Sequence, residues 1–176
     1  MKKVLYQSPL GPLVLIATRG SLVYCNWDVS ECLPKQLSIE KSGDCSEENM
    51  EDEILLRNVS TQLDEYFAGN RTDFEIPLDL RGTEFRKKVW RSLSNIKYGE
   101  TLPYRTLAEK IGNPKAIRAV AQACGANPLA IILPCHRVIG ANGNLGGYTG
   151  GVDKKIALLS LEKIKNLKTF DHNLVE

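Results

Sequence analysis

The order of apolar and polar positions divides the chain into a first part with a period of two and a longer second part with a period near 3.6. "KVLYQSP", "GPLVLIATRG" and "SLVYCNWD", residues 3–28, are β-branched and aromatic runs separated by Pro-Leu-Gly-Pro and Arg-Gly-Ser. Runs punctuated in this way predict consecutive antiparallel strands joined by tight turns. Residues 29–50 are polar and predict loop. From about Glu51, "EDEILLRNVSTQLDEYFAG" sets Leu56, Val59, Leu63, Tyr66 and Phe67 at helical spacing and stops at Gly69. "NRTDFEIPLDLRG" then reads as an extended connection to a second domain.

Beyond Thr83 the pattern is helical. In "EFRKKVWRSLSNI", Phe85, Val89 and Leu93 stand four apart, and Lys97 to Gly99 break the run. In "LPYRTLAEKIGNPKAIRAVAQACGAN", Pro103 suits the first turn of a helix whose inner face is Leu107, Ala108 and Ile111, and Gly112 can close it. Asn113 can cap a second helix with Pro114 at its first position and Ile117, Val120, Ala121 and Cys124 on its inner face. Two short helices so joined predict a helix-turn-helix, although any helical hairpin of an α+β domain shows the same pattern. The outward face of the second helix is Lys115, Arg118, Ala119, Gln122, Ala123 and Ala126. Few of these side chains are long enough to read base edges in the major groove. A slim alanine face fits the narrower minor groove, where sequence is poorly distinguished. The pattern as a whole predicts an α+β chain: a small antiparallel-sheet domain over residues 1–80, a mostly helical domain over 81–165, and a polar tail over 166–176.

Composition narrows the class. With 43% hydrophobic and 25% charged residues, 176 residues can bury one good core or two small ones, which argues against disorder. Gln7, Ser8, Pro9, Gly11 and Pro12 interrupt any signal-peptide core and no long apolar run follows, so a cytoplasmic protein is expected. Cys25, Cys32, Cys45, Cys124 and Cys135 are odd in number and lack a CxxC pair, and His172 lies in the polar tail. Neither a disulfide framework nor a metal site is predicted. The net charge of +2 hides a division: residues 1–80 carry 7 Lys+Arg against 14 Asp+Glu, residues 81–176 carry 16 against 7. A basic half is the footprint of a nucleic-acid binder, or merely uneven solvated charge.

The chemistry concentrates in "IILPCHRVIG", residues 131–140, where a cysteine, a histidine and an arginine follow one another inside an apolar frame. Cys135 alone reads as a small buried hydrophobe and His136 alone as a core histidine. A third group changes the picture. In "VDKKIALLSLEKIK", Asp153 can cap a helix on which Glu162 falls between Leu158 and Leu159, roughly 40° and 60° from each. A carboxylate there needs a partner, either an imidazole or the lysines of its own helix. In the first case Glu162 orients His136, His136 withdraws the proton of Cys135, and the thiolate attacks. Neighbours on a strand point to opposite faces, so a bridging water between His136 and Cys135 is expected. A thiol with a pKa of about 8.5 is roughly 3% ionised at pH 7, so most of the rate must come from placing the substrate in line.

"LPCHRVIG", followed by "NGNLGGYTGG" and "LLSLE" and preceded by "GNPKAIRAV" and "GANP", closely resembles the O6-alkylguanine-DNA alkyltransferase family (methylated-DNA-protein-cysteine methyltransferase) from about "LDEYFAG" to Glu162. The resemblance implies an RNase H-like N-terminal domain with a support role and single-turnover DNA repair without a cofactor. Cys135 would accept the alkyl group, with His136 and Glu162 as its relay and Asn127 linking the DNA-binding helix to the active-site loop. Tyr104 would help rotate the nucleotide out and contact guanine N3, while Arg118 would fill the space left in the duplex. The carbonyls of Cys135 and Val138 would read the guanine amino group, Tyr148, Thr149 and Lys155 would line the pocket, and Arg105 and Asn113 would hold phosphates. It further implies a monomer that binds double-stranded DNA through the minor groove, flips the alkylguanine, and sits in the nucleoid or nucleus. Thr149 stands where the family often has serine or alanine. A cysteine hydrolase with the same trio, a non-catalytic lesion sensor and a transcription regulator are the rival readings; Cys135 weighs against the sensor, whose relatives carry tryptophan there.

Overall fold

The computed structural model describes residues 1–27 and 47–164, with side chains of the first helix described from Met50 onward. The polar stretch 28–46 and the tail from residue 165, with Cys32, Cys45 and His172, lie outside the described residues. The described chain forms two compact units. Met1–Arg81 together with Pro128–Ile132 make the first; Gly82–Asn127 and the chain from Leu133 make the second.

In the first unit β1 (Lys2–Ser8), β2 (Gly11–Thr18) and β3 (Ser21–Trp27) form an antiparallel sheet in sequential order. The predicted turn residues make the hairpins. Arg19 and Gly20 sit between the paired Thr18 and Ser21 with φ of 51° and 67°, the left-handed pair that matches strand twist in a two-residue turn. The Glu51 carboxylate packs over Gly20, within 2.5 Å of where a Cβ would stand. α1 (Glu47–Phe67) lies on the sheet and buries Leu56, Val59, Leu63 and Tyr66 of the predicted face, with Leu55 in addition, while Phe67 is only half-buried and packs edge-on to Tyr66. The helix starts four residues before the predicted Glu51. Its buried Asp52 accepts the Gly20 N–H at 2.9 Å, so helix and hairpin are joined by a carboxylate as well as by apolar contact. The outer edge of β3 is covered by single bridges to Leu78 and Leu129. Ile131, just beyond, has φ of 72° in a γ-turn closed by Ile132 N–H to the Ala130 carbonyl, a strained conformation for a β-branched residue.

The second unit is mostly helical, as predicted. α2 (Glu84–Leu93) is capped by Thr83, whose hydroxyl accepts the Arg86 N–H, and buries Val89, Trp90 and Leu93. Phe85, predicted on that face, is only half-buried, and Trp90 takes the weight instead. A two-residue strand, β4 (Leu102–Pro103), pairs in parallel with β5 (Val138–Ile139), so the start of α3 (Tyr104–Lys110) lies beside the end of the Cys-His-Arg segment. α3 and α4 (Ile117–Gly125) make the helix-turn-helix. The second helix begins later than the sequence suggests. Pro114 and Lys115 form a turn closed by Ala116 N–H to the Asn113 carbonyl, so Asn113 caps nothing and Ala116 is the capping position. The register follows: Ala123 is buried, not outward, and Ala121 is only partly covered. Lys115, Arg118, Ala119 and Gln122 are exposed as expected. α5 (Val152–Leu161) packs on the Cys-His-Arg segment and has Gly151 at its N-cap, with Asp153 in its first turn. No helix among the described residues is long and apolar enough to cross a membrane.

Trp90 fixes α4 relative to α2. It is buried, its indole N–H donates to the Ala123 carbonyl at 2.8 Å, and the Cα of Gly82 packs so close that a Cβ would lie 2.9 Å from the ring. Replacing Trp90 with Phe removes that donor while keeping an aromatic ring. The expected loss is about 1–3 kcal/mol in urea unfolding; an unchanged midpoint would show that the indole bond contributes nothing.

Candidate active site

Two turns present Cys135. Cys135 N–H donates to the Leu133 carbonyl at 2.8 Å across Pro134, whose φ of −79° and ψ of 64° are those of an inverse γ-turn. Cys135–Arg137 then form one 3-10 turn that runs directly into β5. The strand expected here is therefore absent at the cysteine. Consecutive side chains of a 3-10 turn diverge by about 120°, so Cys135, His136 and Arg137 leave in three directions even though all three are buried.

Cys135 faces a cavity of about 330 Å³ lined by Tyr104, Ala121, Cys124, Gly125, Gly147, Tyr148 and Thr149 as well as itself. α3, α4, the 3-10 turn and the loop 140–151 each supply part of the wall. Its Sγ accepts from Asn127 Nδ2 at 3.2 Å, and the same amide donates to the Leu133 carbonyl at 2.7 Å. Asn127 follows the last residues of α4, so one side chain joins that helix to the γ-turn and the thiol. Burial pushes the Cys135 thiol above its ordinary pKa, and the Asn127 bond and the Lys155 charge only partly offset it. The resting cysteine is thus a neutral thiol, less ionised than composition alone suggested.

His136 turns away from the cavity. Its Nε2 lies 2.8 Å from Glu162 Oε1. Glu162, the C-cap residue of α5, is buried and also receives Arg137 Nε on Oε2 and Arg137 Nη2 on Oε1, both at 2.9 Å. Burial raises the carboxyl pKa, but these bonds and the two neighbouring charges outweigh it and hold it at about 2. Burial lowers the imidazole pKa, against the pull of Glu162, and the guanidinium lowers it further. A neutral imidazole facing a carboxylate carries its proton on Nε2. Nδ1 is then a bare acceptor, and it is buried with no hydrogen-bond partner. The partner chosen by Glu162 is the imidazole, as the first of the two sequence alternatives had it. Arg137, to which the sequence reading gave no task, is an equal partner.

The remaining predicted residues divide. Tyr104, Tyr148 and Thr149 line the cavity. Burial first, then the two nearby thiols, raise the Tyr104 phenol to about 12, so it is a hydroxyl donor. Thr149 Oγ1 donates to the Gly125 carbonyl at 2.6 Å, tying the loop to the end of α4. Lys155, expected on the wall, is instead fully buried behind it. Its ammonium donates to the Val138 carbonyl at 2.7 Å and to the Leu145 carbonyl, and burial lowers its pKa to about 8. Val138 is likewise buried, and the Cys135 carbonyl already accepts Val138 N–H. Arg105, Asn113 and Arg118 are exposed on the helix-turn-helix. Gly146 has φ of 64°, a left-handed conformation that favours glycine, and lies against Tyr104. Cys124, placed on an inner helix face by the sequence, proves to be a second thiol on the cavity wall. Among the described residues no group of three or more His, Cys, Asp or Glu side chains could hold a metal ion.

Both units match known sequence families. The family described as "6-O-methylguanine DNA methyltransferase, ribonuclease-like domain" matches residues 1–80, and "6-O-methylguanine DNA methyltransferase, DNA binding domain" matches residues 84–164. The methylated-DNA–protein-cysteine methyltransferase of Methanosarcina acetivorans is 45% identical over 162 residues, covering 92% of this chain and 98% of the relative. That of Mycobacterium tuberculosis is 45% identical over 168 residues, covering 93% and 95%. Among solved structures, Mycobacterium tuberculosis OGT in complex with DNA aligns with a TM-score of 0.76 at 43% identity, covering 90% of this chain and 91% of that one. An O6-methylguanine DNA methyltransferase from Methanococcus jannaschii aligns with a TM-score of 0.61 at 31% identity, covering 98% and 100%. With both halves matched and relatives this similar over nearly the whole length, the chain belongs to the 6-O-methylguanine DNA methyltransferase family.

Proposed function

We propose that this chain repairs DNA by direct reversal, moving the alkyl group of O6-alkylguanine irreversibly onto Cys135. The observation that carries the reading is a buried, neutral thiol on the wall of a cavity of about 330 Å³, in the same unit as a helix-turn-helix that exposes Arg105, Lys115 and Arg118. A guanine fits such a space only after leaving the base stack, which costs a few kcal/mol. α4 supports entry from the minor groove, because Ala119 and Gly125 leave little bulk beside Arg118 and Gln122 on its exposed face. Arg118 is long enough to fill the gap left by the flipped nucleotide, and Arg105 and Asn113 are exposed where phosphates would pass.

The steps balance without a cofactor. Cys135 Sγ forms a bond to the alkyl carbon as the carbon–O6 bond breaks, and the electron pair passes to the guanine ring. The thiol proton goes through one intervening water to His136 Nδ1, the bare nitrogen, because Nε2 is committed to Glu162. The Tyr104 hydroxyl donates a hydrogen bond toward guanine N3 and steadies the charge that the departing electron pair puts on the ring; guanine leaves as its anion and takes a proton from water, while His136 returns the thiol proton to solvent. The Asn127 amide steadies charge growing on sulfur. The product is a thioether, which has no carbonyl for water to attack.

Stoichiometry separates this reading from a hydrolase. With excess methylated duplex, methyl transferred per protein should level near one, carried on the Cys135 peptide, and Cys135→Ser should transfer none while still binding DNA; product in excess of protein would sink the reading. Arg118→Ala should slow repair of duplex at least about 10-fold more than reaction with free O6-benzylguanine, since only duplex has a stack to leave. Equal losses on both would remove the intercalating role. Glu162→Gln should slow alkylation at pH 7. Raising the pH should restore part of the rate, but only above the ordinary thiol range, because the Cys135 pKa is raised. A slowing that is the same at every pH would make Glu162 purely structural.

A further inference from the structure

The geometry points to Arg137 as a positioning residue for proton removal from Cys135, acting through Glu162: its guanidinium holds the carboxylate in the one orientation and charge state that leaves His136 with Nδ1 as its free base. The inference rests on Cys135 being the alkyl acceptor and concerns a residue that touches neither thiol nor cavity.

Three bonds fix the arrangement. Arg137 Nε donates to Glu162 Oε2 and Nη2 to Oε1, a two-point clamp that sets the plane of the carboxylate, and Nη1 donates to the Ile96 carbonyl, which anchors the clamp to the segment after α2. The Tyr98 ring lies 5.9 Å from the guanidinium carbon, and the Tyr98 hydroxyl donates to the Leu161 carbonyl beside Glu162. Glu162 Oε1 is therefore shared by guanidinium and imidazole. An oxygen already accepting a charged donor is a poor proton acceptor but remains a good hydrogen-bond acceptor. Glu162 can orient the ring without taking its proton, so the proton removed from sulfur stops on His136.

The clamp also sets the sign of a pH effect. The charged and titratable groups around the imidazole are Glu162 from the end of α5, Arg137 from its own turn, Lys155 from α5, and the Cys135 thiol, with Tyr98 behind Arg137. The guanidinium lowers the proton affinity of both His136 and Glu162. Without it each binds a proton at higher pH. A protonated His136 cannot accept from Cys135, so the acid-side fall in rate must begin at higher pH. A residue that merely supported the fold would lower the rate equally at all pH values.

The experiment measures the rate of benzyl addition to Cys135 from O6-benzylguanine, by intact mass between pH 5 and 9, for the full chain, Arg137→Lys and Arg137→Met. Lysine keeps the charge and loses the fork; methionine loses both. At pH 7 the Lys variant should be about 3-fold slower and the Met variant more than about 10-fold slower, a part of the 10²–10⁴ that a positioned base supplies. The acid limb should rise by roughly half a pH unit for Lys and at least about one for Met. If the Met variant fails to fold, the Lys variant decides: a profile parallel to that of the unaltered protein overturns the inference. Nitrogen NMR of the unaltered protein gives an independent reading, since the chain has only two histidines. His136 should carry its proton on Nε2, and an Nδ1–H tautomer would overturn the inference. Should the unaltered protein gain no benzyl group at Cys135, the functional reading itself fails; should it react while the variants keep its pH profile, only the role of Arg137 falls.

Discussion

A carboxylate taken out of water must be surrounded by donors, and meeting that requirement at Glu162 organises the second unit. The donors come from the 3-10 turn, which is why His136 and Arg137 point inward toward α5 while Cys135, between them and the γ-turn, points to the cavity. Losing one partner of such a buried group costs about 3–5 kcal/mol. The turn, the end of α5 and the segment around Ile96 and Tyr98 are held together by the same few bonds. Stability and reactivity are therefore not separable here: the bonds that settle the buried charge also choose the histidine tautomer.

A second buried cation works on backbone alone. Lys155 spends its donors on the carbonyls of Val138 and Leu145, one at β5 and one in the loop 140–151. It thereby pins one side of a glycine-rich loop, and Thr149 pins the far side of that loop to α4. Asn127 completes the frame with its bonds to Leu133 and the thiol. The cavity wall is soft in composition but fixed at three points by polar side chains.

Much of this was legible in the sequence where local rules and tertiary packing agree. Arg19-Gly20 read as a turn because Arg-Gly-Ser separates two β-branched and aromatic runs, and Leu56, Val59 and Leu63 read as a helix face because nothing competes with their spacing. Elsewhere local chemistry misleads. Asn113-Pro114 has the right residues to start a helix, yet a turn takes them first, which shifts the burial of Ala121 and Ala123. Ile131 is the residue type least suited to a positive φ, so no local rule finds its γ-turn. Lys155 was placed on the pocket wall by the resemblance alone, and nothing in its neighbours showed that its ammonium would be buried on two carbonyls. Arg137 carried a usable signal: an arginine between His136 and Val138 in an apolar run must be buried with them, and a buried guanidinium needs an acidic partner. Glu162, already seen to lack water, was the obvious one.

Keeping the acceptor as a buried neutral thiol has a consequence for its lifetime between lesions. Peroxides and stray electrophiles react with thiolates, and thiolate is scarce when burial raises the pKa and the neighbouring imidazole turns away toward Glu162. A protein that forms a thioether cannot recover from a wrong reaction any more than from a right one. Low reactivity at rest is then a form of conservation: each copy stays usable until it meets its substrate, and the cell's capacity for repair is set by how many copies it holds and not by how fast any of them turns over.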